Sequence, residues 1–534
     1  MTSATTGGVA DGAADPGFDP KRDRLVIIAS SLGTMFEWYD FFLYGILASL
    51  LGRLFFTTGN PTTELLFSLF AFGIGFFFRP LGAVIFGYFG DRIGRKYTFL
   101  VTISLMGGAT AAIGFLPTLA SIGIAAPVLM LVLRTLQGLA LGGEYGGAAI
   151  YVAEHAPARK RGQYTSWIQA SVAGGFLLCL AVVLTTRGLM SKEAFEAWGW
   201  RVPFLLSLLM LSGSLYIRLK LSESPVFQAM KKAGTTSKNP IVESFSDRAN
   251  IGRVFVALFG VAAGLTVVFY TSQFGTLYFL QGTARVPETQ ALIYMAAGAL
   301  VAVPFFVGFG WLSDKIGRKK LLLIGYGLTL VLLFPLFHMM ADGANPALRE
   351  AGERSPVVIE LPECDYRVFG KPATPCAKAL AYLTKRGVSY TKRPAADLAI
   401  TVGTVRMTGF DEAPVAAALI AAGYPETVDQ ARVSHWKIIL AVAMMVALSA
   451  MTYGQVAAIL VEMFPARIRY TSMSIPYHIG TGYFGGFLPV VSQYIVVRTG
   501  DAYAGLWYTI AVVVMAFVVS AIWLPESRDM DISL

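Results

Sequence analysis

Twelve apolar runs constrain this chain more than any other feature. They cover 26–52, 63–90, 97–117, 122–153, 164–187, 202–220, 253–281, 289–312, 320–340, 437–462, 472–497 and 504–524. About 20 apolar residues suffice to cross a bilayer as a helix. In lipid every backbone polar group must be satisfied internally, and runs of this length do so as helices rather than barrel strands. Composition agrees: the 534 residues are 55% hydrophobic and 14% charged, where a soluble domain carries roughly 25% charge. The sequence therefore predicts an all-α membrane protein of twelve transmembrane helices.

The runs form two related sets. Gly87-Tyr88-Phe89-Gly90-Asp91-Arg92-Ile93-Gly94-Arg95-Lys96 separates runs two and three, and Gly310-Trp311-Leu312-Ser313-Asp314-Lys315-Ile316-Gly317-Arg318-Lys319 separates runs eight and nine, 223 positions later. Glu154-His155-Ala156-Pro157-Ala158-Arg159-Lys160-Arg161 returns as Glu462-Met463-Phe464-Pro465-Ala466-Arg467-Ile468-Arg469, offset by 308. Leu221-Ser222-Glu223-Ser224 and Leu524-Pro525-Glu526-Ser527 close the two halves, 303 apart. Paired six-helix halves commonly enclose a substrate path. The change in offset places about 80 to 85 extra residues in the second half, before Glu462.

Those residues stand out at 341–434, which hold 11 basic and 11 acidic side chains. Val357–Ile359 and Leu398–Val402 read as short strands, and Ala377–Lys385 and Pro414–Ala422 as helices, so the insert is predicted to be a small α/β domain. Cys364 and Cys376 both fall in it, and an oxidising compartment permits a disulfide between them; two unpaired thiols are the other reading. Cys179, inside run five, reads as a small core residue. No metal-ligand spacing and no cofactor motif are present.

The formal net charge of +10 is distributed as a topology signal, not as a nucleic-acid surface. Cations crowd alternate connections, after runs two, four, six, eight and ten, while the intervening short connections hold little beyond Arg53, Arg187, Lys192, Arg201, Arg285 and Arg498. By the positive-inside rule both termini are cytoplasmic and the insert faces outward, in a bacterial inner membrane. The expected organisation is a disordered tail at 1–20, a six-helix half at 21–220 and a cytoplasmic linker at 221–252. Helices 7–9 follow at 253–340, the periplasmic insert at 341–434, and helices 10–12 with a short tail at 435–534.

The Asp-Arg-Ile-Gly-Arg-Lys loop with its second copy, on a six-plus-six plan, resembles the major facilitator superfamily. Phe36-Glu37-Trp38-Tyr39-Asp40-Phe41, Arg79-Pro80-Leu81-Gly82, Arg134-Thr135-Leu136-Gln137-Gly138, Gly142-Gly143-Glu144-Tyr145-Gly146 and Phe464-Pro465-Ala466-Arg467-Ile468-Arg469 narrow the resemblance to the metabolite:proton symporter family. The likeness covers about 21–340 and 435–530 and leaves the insert unexplained. It implies a carrier of dicarboxylates or tricarboxylates, shikimate-like acids, proline or betaine, coupled to proton entry.

Residue chemistry supplies candidates independently, because an ionisable group inside a bilayer is costly and marks function. Asp40, Glu37 and Glu144 are candidate proton carriers; pairing of a carboxylate with Arg79 or Arg134 to hold helices together is the alternative for the first two. Tyr44 lies four residues beyond Asp40 and extends its face. Arg79 and Arg134 offer guanidinium forks to a substrate carboxylate, or serve in salt bridges. Gln137, Tyr270, Gln273, Tyr453, Gln455 and His478 add polar contacts, with packing as the alternative for His478. Gly138, Gly142 and Gly146 repeat every four residues and permit close helix approach.

The loop motifs predict a cytoplasmic gate. Asp91, Arg92, Arg95, Glu154, Arg159, Arg161 and Glu223 form the first-half set, with the arginines bridging to Glu154 and Glu223; Asp314, Arg318, Glu462 and Arg467 form the second. Retention of loops inside by their charge is the plainer reading of the same cations. The chain thus reads as a non-enzymatic secondary transporter, monomeric, moving protons and a small polar metabolite by alternating access. A sugar facilitator or symporter of the same superfamily, and a membrane sensor reading a ligand through the insert, are the alternatives.

Overall fold

The computed structural model describes residues 20–93, 95–143, 145–219, 240–362, 364, 372–530 and 532. The first half comprises α1 (Pro20–Ile46), α2 (Ala48–Phe55), α3 (Pro61–Phe77), α4 (Arg79–Ile93), α5 (Arg95–Phe115), α6 (Ala125–Gly142), α7 (Tyr145–His155), α8 (Arg161–Gly188) and α9 (Arg201–Leu219). The second begins with α10 (Arg248–Phe255), α11 (Ala263–Tyr270), α12 (Glu288–Ile316) and α13 (Arg318–Ala344). After the insert it resumes with α17 (His435–Tyr453), α18 (Val456–Met463), α19 (Arg469–Ile479), α20 (Leu488–Thr499) and α21 (Leu506–Trp523).

Eight helical segments among the described residues are long and apolar enough to span a membrane, and a ninth joins them if Lys192–Gly199 and Arg201–Tyr216, bent by 54°, form one span. The count of twelve therefore does not follow from length and apolarity alone. The runs at 26–52, 97–117 and 472–497 are helical, but α1 carries Glu37 and Asp40, the apolar part of α5 is the shorter Leu100–Phe115, and a π-helical stretch at Gly480–Gly486 separates α19 from α20.

The halves meet along a long seam. α8 packs lengthwise on α12, α4 on α19, and α3 on the Gly480–Gly486 stretch. Glycine sets the closest approaches: a Cβ on Gly138 would stand 1.8 Å from Gly75 O, and one on Gly142 2.1 Å from Arg79 O. The four-residue glycine stripe thus beds α6 against α3 and α4, while Gly146 faces Ser474 of the other half.

The insert contains α14 (Pro346–Arg354), β1 (Val357–Leu361), α15 (Pro375–Lys385), β2 (Tyr390–Pro394), β3 (Ala399–Val402), β4 (Val405–Thr408) and α16 (Glu412–Ala421). The sheet order is β2-β1-β3-β4. β1 runs parallel to β2 (Val357 beside Tyr390) and antiparallel to β3 (Ile359 beside Ile400), and β3 pairs antiparallel with β4. Buried Val357, Ile359, Ile400 and Val402 join Leu380 and Leu383 of α15 in the core. The sequence reading missed β2, β4 and α14. Tyr390-Thr391-Lys392-Arg393-Pro394 and Val405-Arg406-Met407-Thr408 lack a strong apolar pattern, and only pairing with β1 and β3 makes them strands. Cys364 and Cys376 are joined by a disulfide with Cα atoms 6.2 Å apart, and Cys179 is a buried free thiol in α8.

The insert sits on the second half. Tyr390 N donates to Gly500 O at 3.1 Å and Lys392 Nζ to Arg498 O at 2.5 Å. Arg285 donates to the carbonyls of Pro425, at 2.7 Å, and Glu426.

Candidate functional site

The chain breaks at Phe78 between α3 and α4, and Arg79 opens α4 at this break. Arg79 is fully buried with no anionic partner among the described residues; Tyr270 of the other half is the side chain within hydrogen-bonding reach of it, and its guanidinium nitrogens are otherwise without a partner there. Its charge lies over the rings of Trp38 and Phe76, at 5.5 and 5.2 Å. Such an arrangement is costly without a counter-charge, since a buried charge is stable only when paired and hydrogen-bonded. Tyr270, Tyr453 and His478 of the other half stand within electrostatic reach of it.

His478 is likewise fully buried, with neither ring nitrogen hydrogen-bonded among the described residues. It lies just before the π-helical stretch Gly480–Gly486. Tyr453 and Tyr477 share a hydroxyl–hydroxyl hydrogen bond, and the Tyr477 ring lies 5.3 Å from that of His478. Gln273 occupies another π-helical turn, Thr271–Gly275, and both ends of its buried amide lack a partner. Its neighbour Phe274 reaches Phe42 and Phe72 across the seam, with ring centroids 5.9 and 5.0 Å away. Single π-helical turns within longer helices re-aim side chains and recur at functional sites.

Arg134, also fully buried, is held by neutral groups. Nη1 donates to Gln137 Oε1 at 2.6 Å and Nη2 to Phe72 O at 3.2 Å, while Nε has no partner. The rings of Phe41, Tyr44 and Phe72 enclose it at 4.7, 4.7 and 5.2 Å. Gln137 in turn donates to Thr110 Oγ1 at 2.7 Å, so its amide positions Arg134 and is committed to α5. Tyr44 accepts a hydrogen bond from Ser68 at 3.4 Å.

The carboxylates lie elsewhere. Glu37 and Asp40 are buried, and Asp40 has Ser207 within hydrogen-bonding reach while its Oδ1 has no other partner among the described residues. Asp40 faces Ser207, Tyr39 and Cys179, within the first half. Although Tyr44 shares its side of α1, the longer tyrosine side chain reaches Ser68 and Arg134, so the two residues serve different neighbourhoods. Glu144 and Glu223 lie outside the described residues.

Gln455 departs from its expected place. Its amide faces Arg318 O and Leu322 N, at 3.2 and 3.1 Å, which sets it at the start of α13 beside the loop motifs. The helix is interrupted at Gly454 and Gln455, between α17 and α18, and Tyr453 and Gln455 reach different neighbours, Tyr477 and the start of α13.

At the loop-motif end the halves are joined by crossed pairs. Glu154 and Glu462 are equivalent in the repeat, as are Arg161 and Arg469. Arg469 pairs with Glu154 at 3.4 Å and Arg161 with Glu462 at 4.0 Å. Each arginine meets the glutamate of the opposite half, a pairing across the seam that the expectation of bridges within the first half did not include. Arg161 also donates to Met530 O at 2.9 Å and Arg469 to Ile532 O at 2.7 Å. Arg467, expected to join Asp314, Arg318 and Glu462, pairs instead with Glu243 at 2.9 Å on the surface, and Arg159 is exposed. Two residues along the same loop, Arg467 points to solvent while Arg469 turns inward. Asp91, Arg92 and Arg95 end α4 and start α5; their side chains lie outside the described set.

Asp314 anchors this end. Its two oxygens accept from Gly162 N and Gln163 N, both at 2.8 Å, and it pairs with Arg318 at 2.7 Å. Gly162 and Gln163 are in the first turn of α8, whose unsatisfied N–H groups favour an anion. Arg318 adds Glu462 at 3.2 Å. Glu526 and Ser527, absent from the expected gate, complete it: Glu526 accepts from Arg318 N at 2.8 Å, and Ser527 donates to Glu462 at 2.7 Å. The repeated Glu-Ser pair, Glu223-Ser224 and Glu526-Ser527, was the available signal. The other end of the seam is also bridged. Glu288 of α12 pairs with Arg53 at 3.3 Å and Arg187 at 2.8 Å, and Tyr278 donates to Gly45 O at 2.7 Å.

Comparison with known proteins agrees with this architecture. Residues 25–248 match the family model "Sugar (and other) transporter". The chain is 36% identical to the shikimate transporter of Escherichia coli (strain K12) over 321 residues, 59% of this chain and 72% of that protein. It is 35% identical to the glycine betaine/proline/ectoine/pipecolic acid transporter of Dickeya dadantii (strain 3937) over 331 residues, 60% of this chain and 66% of that one. In fold it resembles the xylose transporter of E. coli in a partially occluded inward-open conformation, with a TM-score of 0.58 at 16% identity, covering 95% of this chain and 99% of that one. The chain therefore belongs to the major facilitator superfamily, as a transporter of the metabolite:proton symporter type.

Proposed function

We propose that this secondary active transporter carries a small, carboxylate-bearing metabolite and protons across the bacterial inner membrane by alternating access, with Arg79 at the centre of the substrate site. The observation that carries the reading is the guanidinium of Arg79, buried on the seam with no anionic partner among the described residues and beside Tyr270, Tyr453 and His478 of the other half. A carboxylate would supply the charge and acceptors that this group lacks. Arg134 adds positive potential in its aromatic cage, and Gln273 offers an amide to the remaining polar part of the ligand. The first half thus grips the acid group while the second reads the rest.

Asp40 is the proton carrier in this reading. Buried and outside the ion pairs, it can change protonation state without breaking a bridge; Glu37 and Glu144 are its partners in that task. The cation-rich loop motifs place the gate of Asp314, Arg318, Glu462, Glu154 and Arg469, and the matching Asp91 loop, at the cytoplasmic face. Both termini are then cytoplasmic, and the insert and Glu288 are periplasmic. With both ends bridged, the structure corresponds to an occluded state of the cycle.

Purified protein in liposomes tests this directly. An inward proton gradient should drive accumulation of at least one of shikimate, L-proline and glycine betaine, and Arg79→Gln should abolish it without loss of folded protein. Accumulation of xylose alone, a ligand without a carboxylate, would overturn the assignment of Arg79. Accumulation of any of these compounds that is unchanged when the proton gradient is collapsed would overturn proton coupling.

A further inference from the structure

The insert touches both halves of the transporter. It is fixed to the second half through Gly500, Arg498 and Arg285, and its helix α15 packs against α3 of the first half. Between these surfaces lies a cavity of about 360 Å³. Ser49 and Arg53 line it from the first half, Gln281 and Glu288 from the second, and Lys385 and Ser389 from the insert. The cavity opens directly on the bridges that hold this end of the seam together. Arg53 meets Glu288 at 3.3 Å and Glu196 at 3.4 Å, with side chains 29 to 39% exposed. Ser49 meets Gln281 at 3.4 Å.

We infer that this cavity is a second, outer docking site, where the carboxylate of an incoming metabolite binds Lys385 of the insert and exchanges with Glu288 for Arg53. Lys385 is exposed and forms no ion pair among the described residues, so its charge is available. The Arg53–Glu288 pair is half-exposed, the setting in which ion pairs are weak and exchangeable. A carboxylate that takes Arg53 from Glu288 removes a contact bridging the two halves. Such a ligand binds the opened outer end better than the closed one and shifts the equilibrium toward opening. The insert, which has no counterpart in the first half, would thereby raise the local concentration of substrate and couple its arrival to the first step of the cycle. This inference rests on the outward orientation and transport reading proposed above.

The test compares wild type, Lys385→Ala and Lys385→Arg in proteoliposomes, using whichever of shikimate, L-proline or glycine betaine the wild type accumulates. At low ionic strength Lys385→Ala should raise KM roughly two- to five-fold, the size expected of an exposed charge contact. Maximal rate should stay within about two-fold, and Lys385→Arg should restore KM. At about 0.5 M salt the difference should vanish through screening. An unchanged KM at low salt, or a fall in maximal rate alone, overturns the docking site while leaving the transport reading intact. A second measurement does not need transport. Millimolar amounts of the same three compounds should slow maleimide labelling, applied from the insert side, of a Ser389→Cys variant that keeps Lys385, since Ser389 lines the same cavity; equal labelling with and without all three overturns the proposal even if no probe is accumulated.

Discussion

Asp314→Asn isolates the anchor of the gate. The carboxylate accepts two hydrogen bonds from the first turn of α8 and pairs with Arg318, while its side chain is only 6% exposed. Asparagine is nearly isosteric but keeps one acceptor; its amide nitrogen turns toward a donor. The loss is one charge-assisted hydrogen bond, about 1.5–3 kcal/mol, together with the interaction of an anion with the helix N-terminus, about 0.3–1 kcal/mol. Arg318 retains Glu462. The bonds to α8 cross the seam and exist only while this end is closed, so the whole loss falls on the closed–open equilibrium. The combined 2–4 kcal/mol shifts that ratio toward open by roughly 30- to 900-fold. Ser166→Cys reports it, because Ser166 lies on α8 directly against Gly310 of α12. Maleimide applied from the loop-motif side should label Ser166→Cys at least ten-fold faster when Asp314→Asn is also present. Labelling rates within two-fold of each other, in protein of unchanged folding, would refute the reasoning.

Further outcomes follow from other contacts. Gly162→Ala places a Cβ 2.4 Å from Arg318 Nη1 and 2.5 Å from Gly310 O; it should hold the gate open and abolish transport while inserting normally, measured as uptake against folded protein. Asp40→Asn should abolish accumulation driven by a pH gradient and leave substrate exchange within about three-fold of wild type, in counterflow and gradient-driven assays on the same liposomes; normal accumulation would exclude Asp40 as the proton carrier. Replacing 346–433 by a Gly/Ser bridge should leave an inserted transporter that binds its substrate, since the two halves align without those residues; failure to insert with several bridge lengths would make the insert part of the core. In the insert, the Arg432 hydrogen bond holds the Glu350 carboxyl below its usual range. This tie stabilises above the unfolded carboxylate pKa and is lost as pH falls through the lower folded value, so amide protection at 429–432, taken relative to the intrinsic exchange rate at each pH, should fall on acidification, and Glu350→Gln should remove that dependence.

Much of this protein is written locally. Apolar length dictates membrane helices wherever it occurs, and the spacing of Gly138 and Gly142 announces a close helix contact because i and i+4 share a face. The strands at 357–361 and 399–402 carry their own apolar pattern, whereas 390–394 and 405–408 become strands only beside them. The repeat also marks the gate, since Glu154, Arg161, Glu462 and Arg469 are visible as paired positions. Their partners are not visible. The repeat makes the two glutamates equivalent and the two arginines equivalent, so each arginine has two chemically identical choices, and only the packing of one half on the other selects the crossed pairs. The same packing turns Arg469 inward and leaves Arg467 at the surface, two residues away. It sends Tyr44 to Arg134 while Asp40 faces α8 and α9, and it leaves Arg79 on the seam with no counter-charge among the described residues. Sequence by itself determined that this is a helical membrane protein, the repeated motifs and the charged positions available to a gate; tertiary structure decided which charges pair and which lack a counter-charge, because desolvation and distance between segments some 300 residues apart are properties of the packed seam and not of any local pattern.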